Sequence, residues 1–228
     1  MRLATVAGPP SAGKTSVLLR CAEGLAAAGL KLGVIKFDCL SSGDAERYEK
    51  AGFAVKTGLA GGLCPDHFFV ANIEAGLQWG ERSGFDLLLV ESAGLCNRCS
   101  PHLAGVLAVC VVDNLSGVHT PHKIGPMLRL ADVVVVTKGD IVSQAEREVF
   151  AFRVRQVNPK AAVLPVNGLT GQGSQLLQRQ LRAAPETASL AGARLRFSMP
   201  AALCSYCLGE TRIGHDCQIG NVKTMDFS

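Results

Sequence analysis

Short, almost uninterrupted apolar runs alternate along this chain with longer stretches in which apolar residues recur every three or four positions. The runs at 3–7, 32–37, 53–57, 85–91, 106–113, 132–137 and 161–166 read as strands. Several are so rich in Val, Leu and Ile that both of their faces must be covered. The stretches at 14–28, 65–82, 121–129, 143–157 and 174–183 read as helices. Asn158-Pro159 closes the fourth, because proline disfavours helical backbone in the residue before it. Strand and helix in alternation predict an α/β fold: a mainly parallel sheet with helices on both faces. After Arg182 the pattern dissolves into Ala-Ala-Pro-Glu-Thr-Ala and a tail carrying three cysteines. The reading is therefore one domain over 1–183 and an appended, cysteine-containing extension over 184–228.

Composition narrows the function classes. Of 228 residues 48% are hydrophobic and 18% charged, against about 25% charged in an average domain, so the chain builds a core. The net charge of +4 is scattered and aromatics make up 5%. That argues against a nucleic-acid face, which needs clustered Lys and Arg or stacking platforms. No segment approaches the roughly 18 apolar residues of a membrane span, since the longest, 105–112, is stopped by Asp113. The first seven residues run straight into a Gly-Pro turn, too short for a leader. A cytoplasmic location is expected, and there nine cysteines read as metal ligands or redox groups rather than disulfides. Cys21, Cys39 and Cys110 stand alone and read as small apolar residues.

The strongest chemical signal is Gly8-Pro-Pro-Ser11-Ala12-Gly13-Lys14-Thr15, which follows the first strand and opens the first helix. It fits G-x-x-x-x-G-K-[ST] at every fixed position, the P-loop of nucleotide hydrolases. Backbone N–H groups of Ser11, Ala12, Gly13, Lys14, Thr15 and Ser16 would face phosphates, where the helix dipole also favours negative charge. Gly8 and Gly13 let the backbone wrap closely, Lys14 reaches the β and γ phosphates, and the Thr15 hydroxyl is a Mg²⁺ ligand. Glu91 ends a strand and Asp38 ends another; both suit the metal or the attacking water, with Lys14, Asp38 and Glu91 as the catalytic set. Gly94 in Glu91-Ser-Ala-Gly94 is placed to sense the γ-phosphate through its N–H, and residues 39–47 read as a polar switch loop. Thr137-Lys138-Gly139-Asp140 ends a further strand. A carboxylate at Asp140 accepts two N–H groups of guanine that adenine does not offer, and the Lys138 stem covers the base. Asn167 lies where a final loop flanks the base.

At this point roughly residues 3–183 resemble the SIMIBI class of P-loop GTPases, in particular the HypB and UreG accessory proteins. Ile35-Lys36-Phe37-Asp38 with Ser42-Gly43-Asp44-Ala45-Glu46-Arg47 resembles the HypB switch segment. Glu91-Ser92-Ala93-Gly94 resembles Glu-Ser-Gly-Gly of UreG and Glu-Asn-Val-Gly of HypB. Gly62-Leu63-Cys64-Pro65 stands where those proteins carry Gly-Cys-His and Gly-Cys-Pro-His. The resemblance implies GTP binding, a homodimer across the nucleotide face and a metal ion at that interface. The chain departs from the pattern in three places: Asp66 precedes His67, a single cysteine becomes Cys96-Asn-Arg-Cys99-Ser-Pro-His102, and the cysteine tail is extra.

Cys64 and His67 open a helix, where the N-terminus favours thiolate. Cys96 and Cys99 follow Gly94 at once, so an ion on them would be mechanically tied to the phosphate sensor. Two copies in a dimer supply four thiolates, suited to tetrahedral Zn²⁺ or a bridging [4Fe–4S] cluster; with Cys64, His67 and His102 a mixed sulfur and imidazole site for Ni²⁺ or Zn²⁺ also fits. Cys204, Cys207 and Cys217, with His215, are spaced for a separate metal knuckle. His119 and His122 read as ordinary loop residues. The expectation is a slow, dimeric, cytoplasmic GTPase that serves a client metalloenzyme or its accessory proteins as a metallochaperone. The alternative is an iron–sulfur protein in which nucleotide gates cluster or electron transfer.

Overall fold

The computed structural model describes residues 1–40, 43–197, 209–218 and 222–228. Among them seven strands, β1 (Arg2–Ala7), β2 (Leu32–Asp38), β3 (Ala54–Leu59), β4 (Leu87–Glu91), β5 (Leu107–Asp113), β6 (Val133–Thr137) and β7 (Ala162–Pro165), form one parallel sheet. Their order is β3-β2-β4-β1-β5-β6-β7. The helices are α1 (Lys14–Ala27), α2 (Asp44–Lys50), α3 (Pro65–Arg82), α4 (Thr120–Lys123), α5 (Pro126–Arg129), α6 (Gln144–Val157) and α7 (Ser174–Arg182).

The two-residue period of the strands sorts their side chains between layers. Leu32 and Val34 face α1 and α7, where Val17, Leu18, Leu177 and Leu181 close the layer. Ile35 and Phe37 face α3, with Phe37 edge-on to Phe68 and Phe69 at 5.8 and 5.3 Å between ring centres. Cys110, Val112, Val134 and Val136 pack under α5 and α6 against Met127, Leu128, Phe150 and Val154. Buried Cys21 and Cys110 serve as apolar filler, and burial raises both thiols to about 12. In such sheets ligands bind beyond the carboxyl ends of strands, where the order reverses. Here that point lies above β1, flanked by β4 and β5.

Two elements depart from the sequence expectation. Residues 121–129 are not one helix, because α4 and α5 are separated at Gly125. Gly125 has φ +64, and a Cβ there would run into the Asn97 carbonyl. Residues 44–47 of the segment read as a switch loop belong to α2, which has Asp44 and Glu46 in its first turn and Tyr48 fully buried.

The described residues after 183 pack against the sheet and its helices. Leu190, Leu195, Ile213 and Phe227 join the same core as Leu3 and Phe37. Leu195 bridges Leu103, and the Arg196 guanidinium donates to the carbonyls of Leu103, Val106 and Leu130 and to the Asp132 carboxylate. Further on, Asn72 of α3 accepts the Met225 N–H at 2.7 Å and donates to the Lys223 carbonyl at 2.8 Å. Cys204 and Cys207 fall outside the described residues. Among the described residues no helix is long and apolar enough to cross a membrane.

Candidate nucleotide and metal site

The P-loop turns from β1 into α1 at the reversal point, and a cavity of about 410 Å³ opens over it. Its walls include Ser11, Gly13, Lys14, Thr15, Ser16, Lys36, Asp38, Asp44, Arg47, Glu91 and Leu95. Lys14 Nζ donates to the carbonyls of Gly8 (2.9 Å), Pro9 (3.0 Å) and Ala93 (3.4 Å). Burial holds its ammonium below the ordinary lysine value although Glu91 opposes the shift. Ser16 Oγ accepts from the Arg47 guanidinium at 2.9 Å, which ties α2 to the start of α1.

Glu91 and Lys36 are direct register partners on β4 and β2, so their side chains project from the same face. Where Val34 and Leu89 are apolar on that face, the last pair is charged. Lys36 Nζ lies 2.6 Å from Glu91 Oε1, 3.1 Å from Asp44 and 3.7 Å from Asp38. Glu91 also accepts from the Thr15 hydroxyl and the Tyr48 hydroxyl, both at 2.8 Å. Burial alone would lower Lys36, but Glu91 and Asp44 overrule it and raise it. Burial would likewise raise Asp44, and Lys36 overrules that and lowers it. One Asp38 oxygen accepts the Cys39 N–H at 2.8 Å. Thr15, Asp38, Asp44 and Glu91 offer hard oxygens to one cavity, a donor set that fits Mg²⁺ beside phosphates.

The Thr137–Asp140 segment is tied to the P-loop. Thr137 Oγ1 donates to the Ala12 carbonyl at 2.7 Å, and Lys138 Nζ donates to the Ser11 carbonyl at 2.8 Å. Thr137 and Lys138 thus fix the two loops together. Asp140 is exposed at the end of this segment. Asn167 Oδ1 accepts the N–H groups of Leu169 and Thr170, so the side chain shapes its own loop. That oxygen is already engaged inside the turn.

Gly94 lies at φ +70 with its Cα against the P-loop; a Cβ there would run into the Gly8 carbonyl oxygen. Two residues later the cysteine turn begins. Cys96 and Cys99 stand with sulfurs 3.4 Å apart, and the Asp66 carboxylate of α3 joins them, all ligand atoms lying within 4.8 Å. Burial, then the Asp66 carboxylate, pushes the Cys99 thiol well up. Burial likewise raises Asp66, to about 6. An ion arriving here would displace protons from the thiols.

This group differs from the expected one. Asp66 joins it, whereas Cys64 and His67 lie outside it. In the sequence Asp66 stands out only as a departure from the family pattern; an acid in the first turn of a helix reads as a cap or dipole partner rather than a ligand. His102 is also not a ligand: its Nε2 donates to the Met127 carbonyl at 3.0 Å and its Nδ1 accepts from Thr5 Oγ1 at 3.0 Å. Both nitrogens are spent on joining β1 to α5. Nor does the arrangement favour a [4Fe–4S] cluster, because bridging two protomers needs both sulfurs at the surface and Cys99 is 2% exposed. Cys217, in a short 3-10 turn against α3, is not in the group either.

His102 carries a pH signature. Burial lowers its imidazole from 6.5 to about 4. The unfolded chain therefore takes up this proton first, and stability is lost as pH falls from 6.5 towards 4. The stability gap between wild type and His102→Gln should narrow by about 3 kcal/mol from pH 7 to pH 4 in urea unfolding. Asp66 acts with the opposite sign but is common to both proteins and cancels. A gap that stays constant with pH would show that the ring is not held neutral.

A family model described as the CobW/HypB/UreG nucleotide-binding domain matches residues 2–165. An uncharacterized protein of Methanocaldococcus jannaschii is 45% identical over 226 residues, covering 99% of this chain and 97% of that protein. The urease accessory protein UreG of Haloquadratum walsbyi is 32% identical over 184 residues, covering 73% and 87%. Among solved structures, HypB from Helicobacter pylori in complex with nickel has the same fold, with a TM-score of 0.64 at 19% identity over 83% of this chain and 91% of that one. The P-loop, the seven-stranded parallel sheet and the residues matched agree: the chain belongs to the CobW/HypB/UreG family and carries its nucleotide-binding domain.

Proposed function

We propose that the protein binds and hydrolyses GTP and acts as a metallochaperone or maturation factor for a metalloenzyme. In this reading a metal site is switched by the nucleotide. The observation that carries it is the backbone contact of Gly94 with Gly8, two residues before the Asp66–Cys96–Cys99 group. Asp140 selects guanine, and the P-loop N–H groups with Lys14 hold the phosphates. Thr15 would hold Mg²⁺, with Asp38 and Glu91 beside it, and the ion would neutralise phosphate charge. Asp38 is partly exposed to the cavity and orients the attacking water. Loss of the γ-phosphate frees Gly94 to move and changes the spacing of the thiols.

Two thiols and a carboxylate suit Ni²⁺ or Zn²⁺ as cargo. The nickel bound by Helicobacter pylori HypB makes Ni²⁺ the first ion to test, and the likeness to UreG supports service to a client enzyme. In this reading the protein dimerises across the nucleotide face, where the cavity-lining Leu95 is 55% exposed, and the location is taken as cytoplasmic.

Equilibrium dialysis of Ni²⁺ and Zn²⁺ against GDP-bound and GTP-analogue-bound protein tests the reading. The two affinities should differ by about tenfold or more, a coupling of ordinary allosteric size. Cys96→Ser with Cys99→Ser should weaken binding about a hundredfold and erase the difference. Equal ion affinity in both nucleotide states overturns the proposal.

A further inference from the structure

Lys36 has no part in the scheme above, yet it is the most centrally placed cation of the site. Its side chain is 4% exposed, and its ammonium lies between three carboxylates, at 2.6 Å from Glu91, 3.1 Å from Asp44 and 3.7 Å from Asp38. All four side chains, with Thr15, line the same cavity. The position is built rather than incidental: register on β2 and β4 sets Lys36 against Glu91, and α2 brings Asp44 over the pair. Glu91 is further held by the hydroxyls of Thr15 and Tyr48.

Three carboxylates and a hydroxyl facing one cavity are what a bare divalent cation seeks. Such an oxygen set does not discriminate, since Ni²⁺ and Zn²⁺ bind most ligand sets more tightly than Mg²⁺ does. A cargo ion settling there would block the nucleotide. We propose that Lys36 is a specificity-determining residue that closes the Glu91–Asp44–Asp38 cluster to free divalent cations, so that Mg²⁺ binds there only together with a triphosphate. The charge arithmetic supports this. The ammonium already neutralises part of the cluster at contact distance and repels a second cation at close range. A triphosphate brings its own oxygens and negative charge, so Mg²⁺ then needs the protein mainly for Thr15 and outer contacts. Lys36 thereby makes nucleotide and Mg²⁺ binding strongly cooperative. The inference rests on the nucleotide site proposed above, but not on GTP hydrolysis or on the cysteine group.

The test uses Mn²⁺ as an EPR-visible probe in place of Mg²⁺, on full-length protein without nucleotide. Wild type should bind Mn²⁺ weakly, and Lys36→Met should bind it at least tenfold more tightly, with one additional ion per chain. Lys36→Arg keeps the charge and should stay close to wild type. Lys36→Met with Asp44→Asn removes one acid as well and should return Mn²⁺ binding towards the wild-type level. If Lys36→Met folds poorly without metal, thermal melting gives the same answer, because Mn²⁺ should stabilise the variant far more than wild type. Equal Mn²⁺ affinity of wild type and Lys36→Met, or equal Mn²⁺ effects on their melting, overturns the proposal. Binding of a fluorescent GTP analogue to wild type is measured in parallel. Its absence would defeat the nucleotide site itself, which distinguishes the two failures.

Discussion

Replacing Gly94 by alanine should weaken GTP binding about a hundredfold, as read by titration with a fluorescent GTP analogue. Two costs combine at this residue. Alanine at φ +70 is strained by about 1–2 kcal/mol. Its Cβ would also occupy the place of the Gly8 carbonyl oxygen, so that either the P-loop or the residues after Glu91 must shift. A displacement of about 1 Å at a phosphate-binding loop is enough for a hundredfold loss. Gly105→Ala separates the two costs. Gly105 has nearly the same φ, +76, but nothing within 4 Å of where its Cβ would stand. It should lose stability by about 1–2 kcal/mol and keep its GTP affinity. If both variants bind GTP like wild type, Gly94 does not couple the two loops.

Glu91→Ala should destabilise the fold by about 3–5 kcal/mol, the range for removing one partner of a buried ion pair. The carboxylate is fully buried and accepts from Lys36, Thr15 and Tyr48 at once. Truncation leaves a buried ammonium facing Asp44 and Asp38 alone, with two hydroxyls losing their acceptor. Urea unfolding followed by fluorescence of Trp79, the single tryptophan of the chain, measures the loss. Adding Lys36→Met to Glu91→Ala should recover part of it, because the orphaned charge goes too. Purely additive losses in the double variant would mean that the two residues do not stabilise each other.

Much of the nucleotide site is legible in the sequence because its chemistry is local. The P-loop, Glu91 and the Thr137–Asp140 segment each lie within a few residues of a strand end, and apolar runs mark those ends clearly. Asp66 and Lys36 are not legible for the opposite reason. Lys36 reads as an interruption of an apolar strand, and only the pairing of β2 with β4 reveals Glu91 as its neighbour. Asp66 reads as a helix-start acid until α3 sets it beside the cysteine turn. The break at Gly125 has the same origin, since the carbonyl that forbids a side chain there belongs to Asn97, 28 positions earlier. His102 reads as an optional ligand beside the cysteine turn, because the partners that occupy its ring, Thr5 and Met127, are equally remote in sequence.

The cysteine turn is gripped unevenly. Gly94 holds its leading end to the phosphate loop, Gly125 lies beneath Asn97 in its middle, and Cys99 is sunk among core side chains while Cys96 is only half covered. Under the proposed function, a pull that starts at the phosphates would reach the first sulfur before the second. Cargo held by both would not be ejected in one motion. It would lose the Cys96 bond while keeping Cys99 and Asp66, leaving a partly detached ion open to an incoming acceptor, so that transfer would proceed by ligand exchange rather than by release into water.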